Sequence, residues 1–504
     1  MRTKVVLVLT FLLFSISNAH ASTQKVLYTF TGGLDGGQPY QASVIFDQSG
    51  NLYGVTEYGG VYNWGTVFQL TPSPSGEWTE TVLHSFTGGA DGDRPQGGLA
   101  IDGSGNLYGT TSDGGDPGVY CGTVFSLSPS ESGWTFTVLH TFTGGKDGCS
   151  PQADVSNSDL LRGTTAGGGC GQQGTVFEMS TSGAGYYVYC FAGNNGMYPG
   201  GLGDCGGWVC GTSYYGGAHH VGNVWHLFWE RPPSNIHAFS AQDKLGYGPI
   251  GNLVSQTNEC GEGGIVYGTT FDGGAGSSGE HSGTVYQLAL KPNRFGECGW
   301  SSSALHSFPA SLEDGQTPWA GLALDAAGNL YGTTMYGPRG SGGMVFMLTP
   351  SPSTWLETVL YGFTGGADGG TVTSPVVLDQ AGNLYGTTTN GGAYNQGVVF
   401  EVTPPTITTM TLTSSLNPST HGQAVTFTAV VTSSTGAPPD GETVSFFLKS
   451  KVLGTGLLSG GSASFIASKL PVGTDSITAV YGGDSNLAGT MSNVVAQVVV
   501  KAEI

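Results

Sequence analysis

Apolar and polar residues alternate in short runs such as Gly98-Leu-Ala-Ile-Asp102 and Gly321-Leu-Ala-Leu-Asp325, each closed by glycine, aspartate or asparagine. This two-residue period predicts half-buried strands joined by tight turns. Three further signatures recur in fixed order. An aromatic-ended strand, Val26 to Phe30, returns at Val82 to Phe86, Val138 to Phe142, Val188 to Phe191, Ile236 to Phe239, Leu305 to Phe308 and Val359 to Phe363. Asn-Leu-Tyr-Gly stands at Asn51, Asn106, Asn329 and Asn383, and in degenerate form at Leu160 to Gly163, Trp208 to Gly211 and Ile265 to Gly268. Gly-Thr-Val-Phe begins at Gly65, Gly122 and Gly174, with variants at Gly222, Gly283, Gly343 and Gly397.

Each repeat thus supplies four antiparallel strands, the make-up of a propeller blade. One such sheet cannot bury both faces, and a closed ring of them leaves no open edge. The chain begins with the first signature alone and ends the repeats with the other three. The expected fold is an all-β, seven-bladed β-propeller whose last blade is completed by the N-terminal strand. After Pro404-Pro405 the repeat stops. Alternating runs at Ala424 to Val431, Thr443 to Leu448, Ser462 to Ile466, Ser476 to Tyr481 and Val494 to Val500 predict a separate Ig-like β-sandwich. The expected domains are residues 1–21, 22–404 and 405–504.

Composition agrees with this picture. With 88 glycines and only 10% charged residues, the chain is rich in turns and poor in the side chains that clothe long helices. A net charge of −20, with no basic stripe, excludes nucleic acid as a partner. The first residues carry Arg2 and Lys4, an apolar run from Val5 to Ile16, and Ala19-His20-Ala21. They read as a signal peptide cut after Ala21, and so predict a secreted, periplasmic or cell-surface protein. The apolar run is short for a membrane span, and no later one offers a candidate. Export makes disulfides the expected state of Cys121, Cys149, Cys170, Cys190, Cys205, Cys210, Cys260 and Cys298, with the pairing open. Cys205 and Cys210 have no second pair at zinc spacing, so neither metal nor cofactor is expected.

The string Asn-Leu-Tyr-Gly-Thr-Thr, then Gly-Gly, Gly-Thr-Val-Phe and Val-Leu-His-Ser-Phe-Thr-Gly-Gly-Ala-Asp-Gly resembles the GloVer tandem repeat of bacterial choice-of-anchor proteins, over about Val26 to Thr403. The resemblance weakens between Asp154 and Cys298. It implies an exported bacterial repeat protein and transfers no activity. The first strand and its turn are also similar to NHL-type propellers. Leu416-Asn-Pro-Ser, Leu470-Pro-Val-Gly473 and Val480-Tyr-Gly-Gly-Asp484 resemble bacterial Ig-like repeats, which implies a spacer or attachment role.

The loops joining second and third strands differ most among the copies. They hold the candidate ligand-binding residues Tyr58, Tyr62, Trp64, Asp113, Tyr120, Tyr214, Tyr215, His219, His220, Tyr336, Arg339 and Tyr394. Flat aromatic faces with few charges suit sugar rings or protein surfaces, and the same residues would also serve to cap the blades. Asp35, Asp91, Asp147, Asp314 and Asp368 precede glycine and read as turn formers, because calcium needs more converging oxygens than each loop offers. Asp47, Asp102, Asp204, Asp325 and Asp379 read as closing Asx turns. His84, His140, His237 and His306 share one repeat position with Tyr28, Tyr189 and Tyr361, which fits hydrogen bonding on the outermost strand rather than a metal or a base. Glu57, Asp113, Glu259, Glu262 and Glu280 form no recognisable catalytic frame. The expected function is therefore an extracellular or cell-surface module binding a polysaccharide or surface protein. A secreted polysaccharide hydrolase or lyase and a structural surface protein are the alternatives.

Overall fold

The computed structural model describes residues 22–152, 154–157, 160–227, 232–242, 244–274, 282–292, 297–309, 314–338, 342–350, 355–433, 435–449, 451–484 and 486–501. The leader reading therefore lies outside the described residues. The fold is all-β, with no α-helix among the described residues. Two compact units divide at Pro404/Pro405.

Among the described residues, the unit Thr23–Pro404 contains seven antiparallel sheets of four or five strands. In the first, Ile45–Phe46, Leu52–Thr56, Thr66–Pro72 and Trp78–Ser85 pair in sequence order. In the seventh, Val377–Leu378, Leu384–Thr388 and Val398–Thr403 are completed by Thr23–Thr29 from the other end of the repeats.

The signatures have direct structural causes. The glycine of Asn-Leu-Tyr-Gly sits opposite the aromatic residue of Gly-Thr-Val-Phe in every sheet, from Gly54 against Phe68 to Gly386 against Phe400. A Cβ at any of these seven glycines would lie 2.3–2.7 Å from that ring. The glycine of Gly-Thr-Val-Phe has a left-handed backbone, as at Gly65 (φ +96°), and a Cβ there would strike Pro95 of the next repeat at 2.6 Å. The phenylalanines that end the outer strands, Phe30, Phe86, Phe142, Phe191, Phe239, Phe308 and Phe363, are all fully buried.

Neighbouring sheets are tied by hydrogen bonds that run through all seven junctions. Arg94 N–H donates to Trp64, Ser150 to Cys121, Tyr198 to Gln173, Gly248 to Val221 and Thr317 to Ser282. The Thr333 hydroxyl donates to the Ser374 carbonyl of the seventh sheet. From the seventh sheet back to the first, Gln38 N–H donates to Gln396 and the Thr387 hydroxyl to Ala42.

In Asp-x-x-x-Asn-x-Tyr, burial alone would raise the Asp47 carboxyl, but hydrogen bonds from Asn51, Ser49 and Tyr53 outweigh it and hold the group below its usual range. The same box closes on Asp102, Asp325 and Asp379.

The second unit is a two-sheet sandwich. Thr408–Ser414, Val425–Ser433 and Ser462–Ala467 form one sheet, and the other is built on Thr443–Leu448, Lys451–Leu457, Gly473–Tyr481 and Val495–Val500. Alternate residues such as Phe427, Phe446, Ile477 and Tyr481 fill the core without any cysteine.

Candidate functional site

The first strands of the seven sheets start around a common cavity of about 370 Å³, lined by residues of all seven repeats. In the first six repeats the approach to that strand carries a residue with a left-handed backbone, such as Gln38, Arg94, Ser150, Tyr198 or Thr317, followed by proline, and in the seventh Thr371 is followed by Val372. The residue after the proline then faces the cavity: Tyr40, Gln96, Gln152, Gly200, Ile250 and Trp319 in the first six repeats. This is scaffold geometry that displays a different side chain in nearly every copy.

Aromatic rings cluster on one side. Tyr198 meets Tyr215 edge-on at 5.9 Å, Tyr215 meets Tyr214 at 4.5 Å, Tyr214 meets Phe271 at 5.9 Å and Phe271 meets Trp319 at 5.1 Å. The arc crosses the fourth, fifth and sixth repeats. The first three repeats contribute Gln41, Gln96 and Gln152 instead. Gln96 donates to Glu57 at 3.1 Å, and burial raises the Glu57 carboxyl above its usual range. Behind it Arg94 bonds Asp113 at 3.2 Å and lies 6.0 Å from the ring centre of Tyr58.

Asp154 lies where this cavity meets a second one lined by Leu253, Leu322 and Val376. Its carboxylate accepts from Ser43 at 3.2 Å, from the Gly98 N–H, and from the Asn252 amide at 2.7 Å. Four repeats meet at this one side chain. Asn252 also accepts from Leu202 N–H of a fifth repeat. Burial pushes the Asp154 carboxyl upward, against the lowering effect of these three donors.

Among the residues singled out from the sequence, Tyr214 and Tyr215 line the cavity. They belong to strand Val209–Tyr215 rather than to a loop, because pairing with Met197–Asp204 continues as far as Tyr215. Asp113 likewise ends strand Leu107–Asp113, paired with Asp93. Tyr58 and Asp113 stand behind Gln96. Trp64 packs over Gly88 at a sheet junction. Tyr62, Tyr120, Tyr336, Tyr394, His219 and His220 are exposed and do not line the cavity. Arg339 lies outside the described residues.

The sequence reading missed Tyr40, Gln41, Gln96, Gln152, Asp154, Tyr198, Asn252 and Trp319. The signal that could have found Tyr40, Gln96, Gln152 and Trp319 is the residue after the repeat proline, which varies among the copies.

The eight cysteines pair as Cys121–Cys149, Cys170–Cys190, Cys205–Cys210 and Cys260–Cys298, which fits an oxidising compartment. No described helix is long and apolar enough to cross a membrane.

Sheets built from one repeated signature, converging on one cavity, define a repeat protein whose copies share a scaffold and differ at its centre. The chain belongs to the Gloeobacter/Verrucomicrobia repeat family, whose model matches residues 12–225 and 234–438. A bacterial Ig-like domain (group 3) matches residues 412–500. No curated protein matches the chain. Among solved structures it is similar to the extracellular domain of a protein assigned as a one-component system from B. thetaiotaomicron (12% identity, TM-score 0.45, 95% of this chain and 59% of that one). It is also similar to a hypothetical selenium-binding protein from Sulfolobus tokodaii (10%, TM-score 0.43, 85% and 93%) and to the soluble aldose sugar dehydrogenase from Escherichia coli (11%, TM-score 0.38, 76% and 99%). The chain spans about three fifths of the first of these. Likenesses at these scores carry no argument about function.

Proposed function

We propose that Thr23–Pro404 is a seven-bladed β-propeller of an exported protein, and that its central cavity binds a neutral oligosaccharide. The leader, residues 1–21, directs export, and residues 405–504 act as an Ig-like spacer. The observation that carries the reading is the arc Tyr198–Tyr215–Tyr214–Phe271–Trp319, with Gln41, Gln96 and Gln152 contributed by the other repeats. Aromatic faces pack on the apolar faces of sugar rings, while amides satisfy hydroxyl groups at the edges. A cavity of 370 Å³ is within the size range of small-ligand sites. The net charge of −20 disfavours a polyanionic glycan.

The test is retention on a panel of neutral and acidic polysaccharides, scored together with release of reducing ends. Retention on neutral polymers without release, weakened about tenfold or more by Trp319→Ala, is expected. Release of reducing ends that disappears in Asp154→Asn would make the protein a hydrolase or lyase instead. Retention unchanged by Trp319→Ala would place the ligand elsewhere.

A further inference from the structure

Around the outside of the repeat unit, the residue two before the buried phenylalanine reaches the aspartate of the loop that follows in five of the seven copies, among the described residues. Tyr28 bonds Asp35 at 3.0 Å, His84 bonds Asp91 at 3.1 Å, His140 bonds Asp147 at 3.3 Å and Tyr361 bonds Asp368 at 3.0 Å. The outer strand of the next sheet contributes a third member, and this member differs. Phe136 stacks on His84 at 4.0 Å and Tyr186 on His140 at 4.1 Å. Glu80 stands beside Tyr28 and Asp35. At His306 the next strand supplies a carboxylate to an imidazole, with Glu357 Oε2 at 3.4 Å and Asp314 Oδ2 at 3.5 Å from Nε2. Among the described residues this is the single group of three potential ligands gathered within 4.8 Å.

We propose that His306, Asp314 and Glu357 bind a divalent transition-metal ion of the zinc class, joining the outer strands Cys298–Ser307 and Trp355–Gly362 of the fifth and sixth sheets. No sequence pattern marks this group, because the histidine matches those at three other junctions and the glutamate is distant in the chain.

Geometry and charge both support the site. Ligands about 2.0–2.1 Å from a tetrahedral ion stand about 3.3 Å from one another, close to the 3.4 and 3.5 Å found here. Glu357 Oε1 is buried and has no hydrogen-bond partner among the described residues. A carboxylate oxygen in that state is costly unless a cation faces it. A proton on His306 would offset one of the two negative charges, whereas a divalent ion balances both. The side chains keep 16–19% exposure, which leaves room for ion entry and for water as the remaining ligand. Imidazole with two carboxylates suits zinc better than calcium or magnesium, which take oxygen ligands.

The test is calorimetric titration of the intact, chelator-treated protein with Zn²⁺ alone, beside a melting curve. One saturable equivalent is expected, lost in Glu357→Gln and in His306→Ala but kept in Glu80→Gln. A hundredfold excess over Kd should raise the melting temperature by about 3 °C. Glu357→Gln removes a buried carboxylate and should fold at least as well as the parent in chelator. If it does not fold, Asp314→Asn takes its place. Absence of saturable Zn²⁺ binding, or binding undiminished in the folded variants, overturns the proposal.

Discussion

The first, second, sixth and seventh sheets differ from the fourth and fifth in how they fasten the turn between first and second strands. The regular sheets use the carboxylate box, in which Asp47, Asp102, Asp325 and Asp379 each collect bonds from an asparagine and a tyrosine. In the fourth sheet Asp204 receives one side-chain bond, from Gly207 N–H at 2.7 Å, and Cys205–Cys210 closes the same turn. In the fifth, Cys260–Cys298 links that turn to the start of the outer strand. In the third, Cys170–Cys190 ties a loop to the outer strand. Disulfides Cys205–Cys210 and Cys260–Cys298 stand where the repeated polar box is lost, and the third, fourth and fifth repeats also supply Asp154, Tyr198, Tyr214, Tyr215 and Asn252 to the cavity. The irregular copies keep the fold by a different means and supply most of the residues that line the cavity.

The largest effect tests what both groups share. Deleting Gln24 to Thr31 removes the outer strand of the seventh sheet and should lower the melting temperature by on the order of 10 °C or more, read by calorimetry. An unchanged transition would show that the sheets are not closed into one cooperative unit.

Next come the disulfides. In the loop-closure model, double replacement of Cys260 and Cys298 by serine, 38 residues apart, should cost about 4 kcal/mol, and that of Cys205 and Cys210, 5 apart, about 2 kcal/mol. Denaturant melts of the two variants check the order. Equal losses would mean that native contacts, not chain entropy, set the contribution.

Smaller still is the polar box. Asp102→Ala strands Asn106 and Tyr108 and should cost about 1–3 kcal/mol, while Asp204→Ala should cost about 1 kcal/mol or less. Reversal of that order would break the distinction between the two groups.

The smallest effect depends on pH. Burial, helped by the charge of Asp35, pushes the Glu80 carboxyl from 4.5 up to about 7. A raised carboxyl stabilises the fold fully below about pH 4.5 and loses that contribution as pH rises through about 7. Glu80→Gln should therefore gain melting temperature relative to the parent at pH 8 and none at pH 4. An equal change at both would contradict the cause.

Much of the scaffold was legible because its constraints repeat. A glycine opposite an aromatic ring, a proline after a left-handed residue and an aspartate four before an asparagine recur with little change, and each has a local cause. The cavity was less legible because its residues are defined by departure from the repeat and meet only in space. Asp154 and Asn252 are 98 positions apart, yet their side chains bond at 2.7 Å. Attention to variable loops found Tyr214 and Tyr215 but passed over Trp319 and Tyr40, which follow a conserved-looking proline inside the repeat. Cysteine pairing was illegible for the same reason, since Cys121 and Cys149 come from different sheets.

Hydrogen exchange of the intact protein, with and without a neutral polysaccharide that retains it, tests the central claim most directly. Protection confined to 198–201, 212–215, 250–252 and 319–321, around the cavity, is the predicted result. Protection on the exposed outer loops at 60–64, 116–120 and 392–396, with none around the cavity, would contradict it.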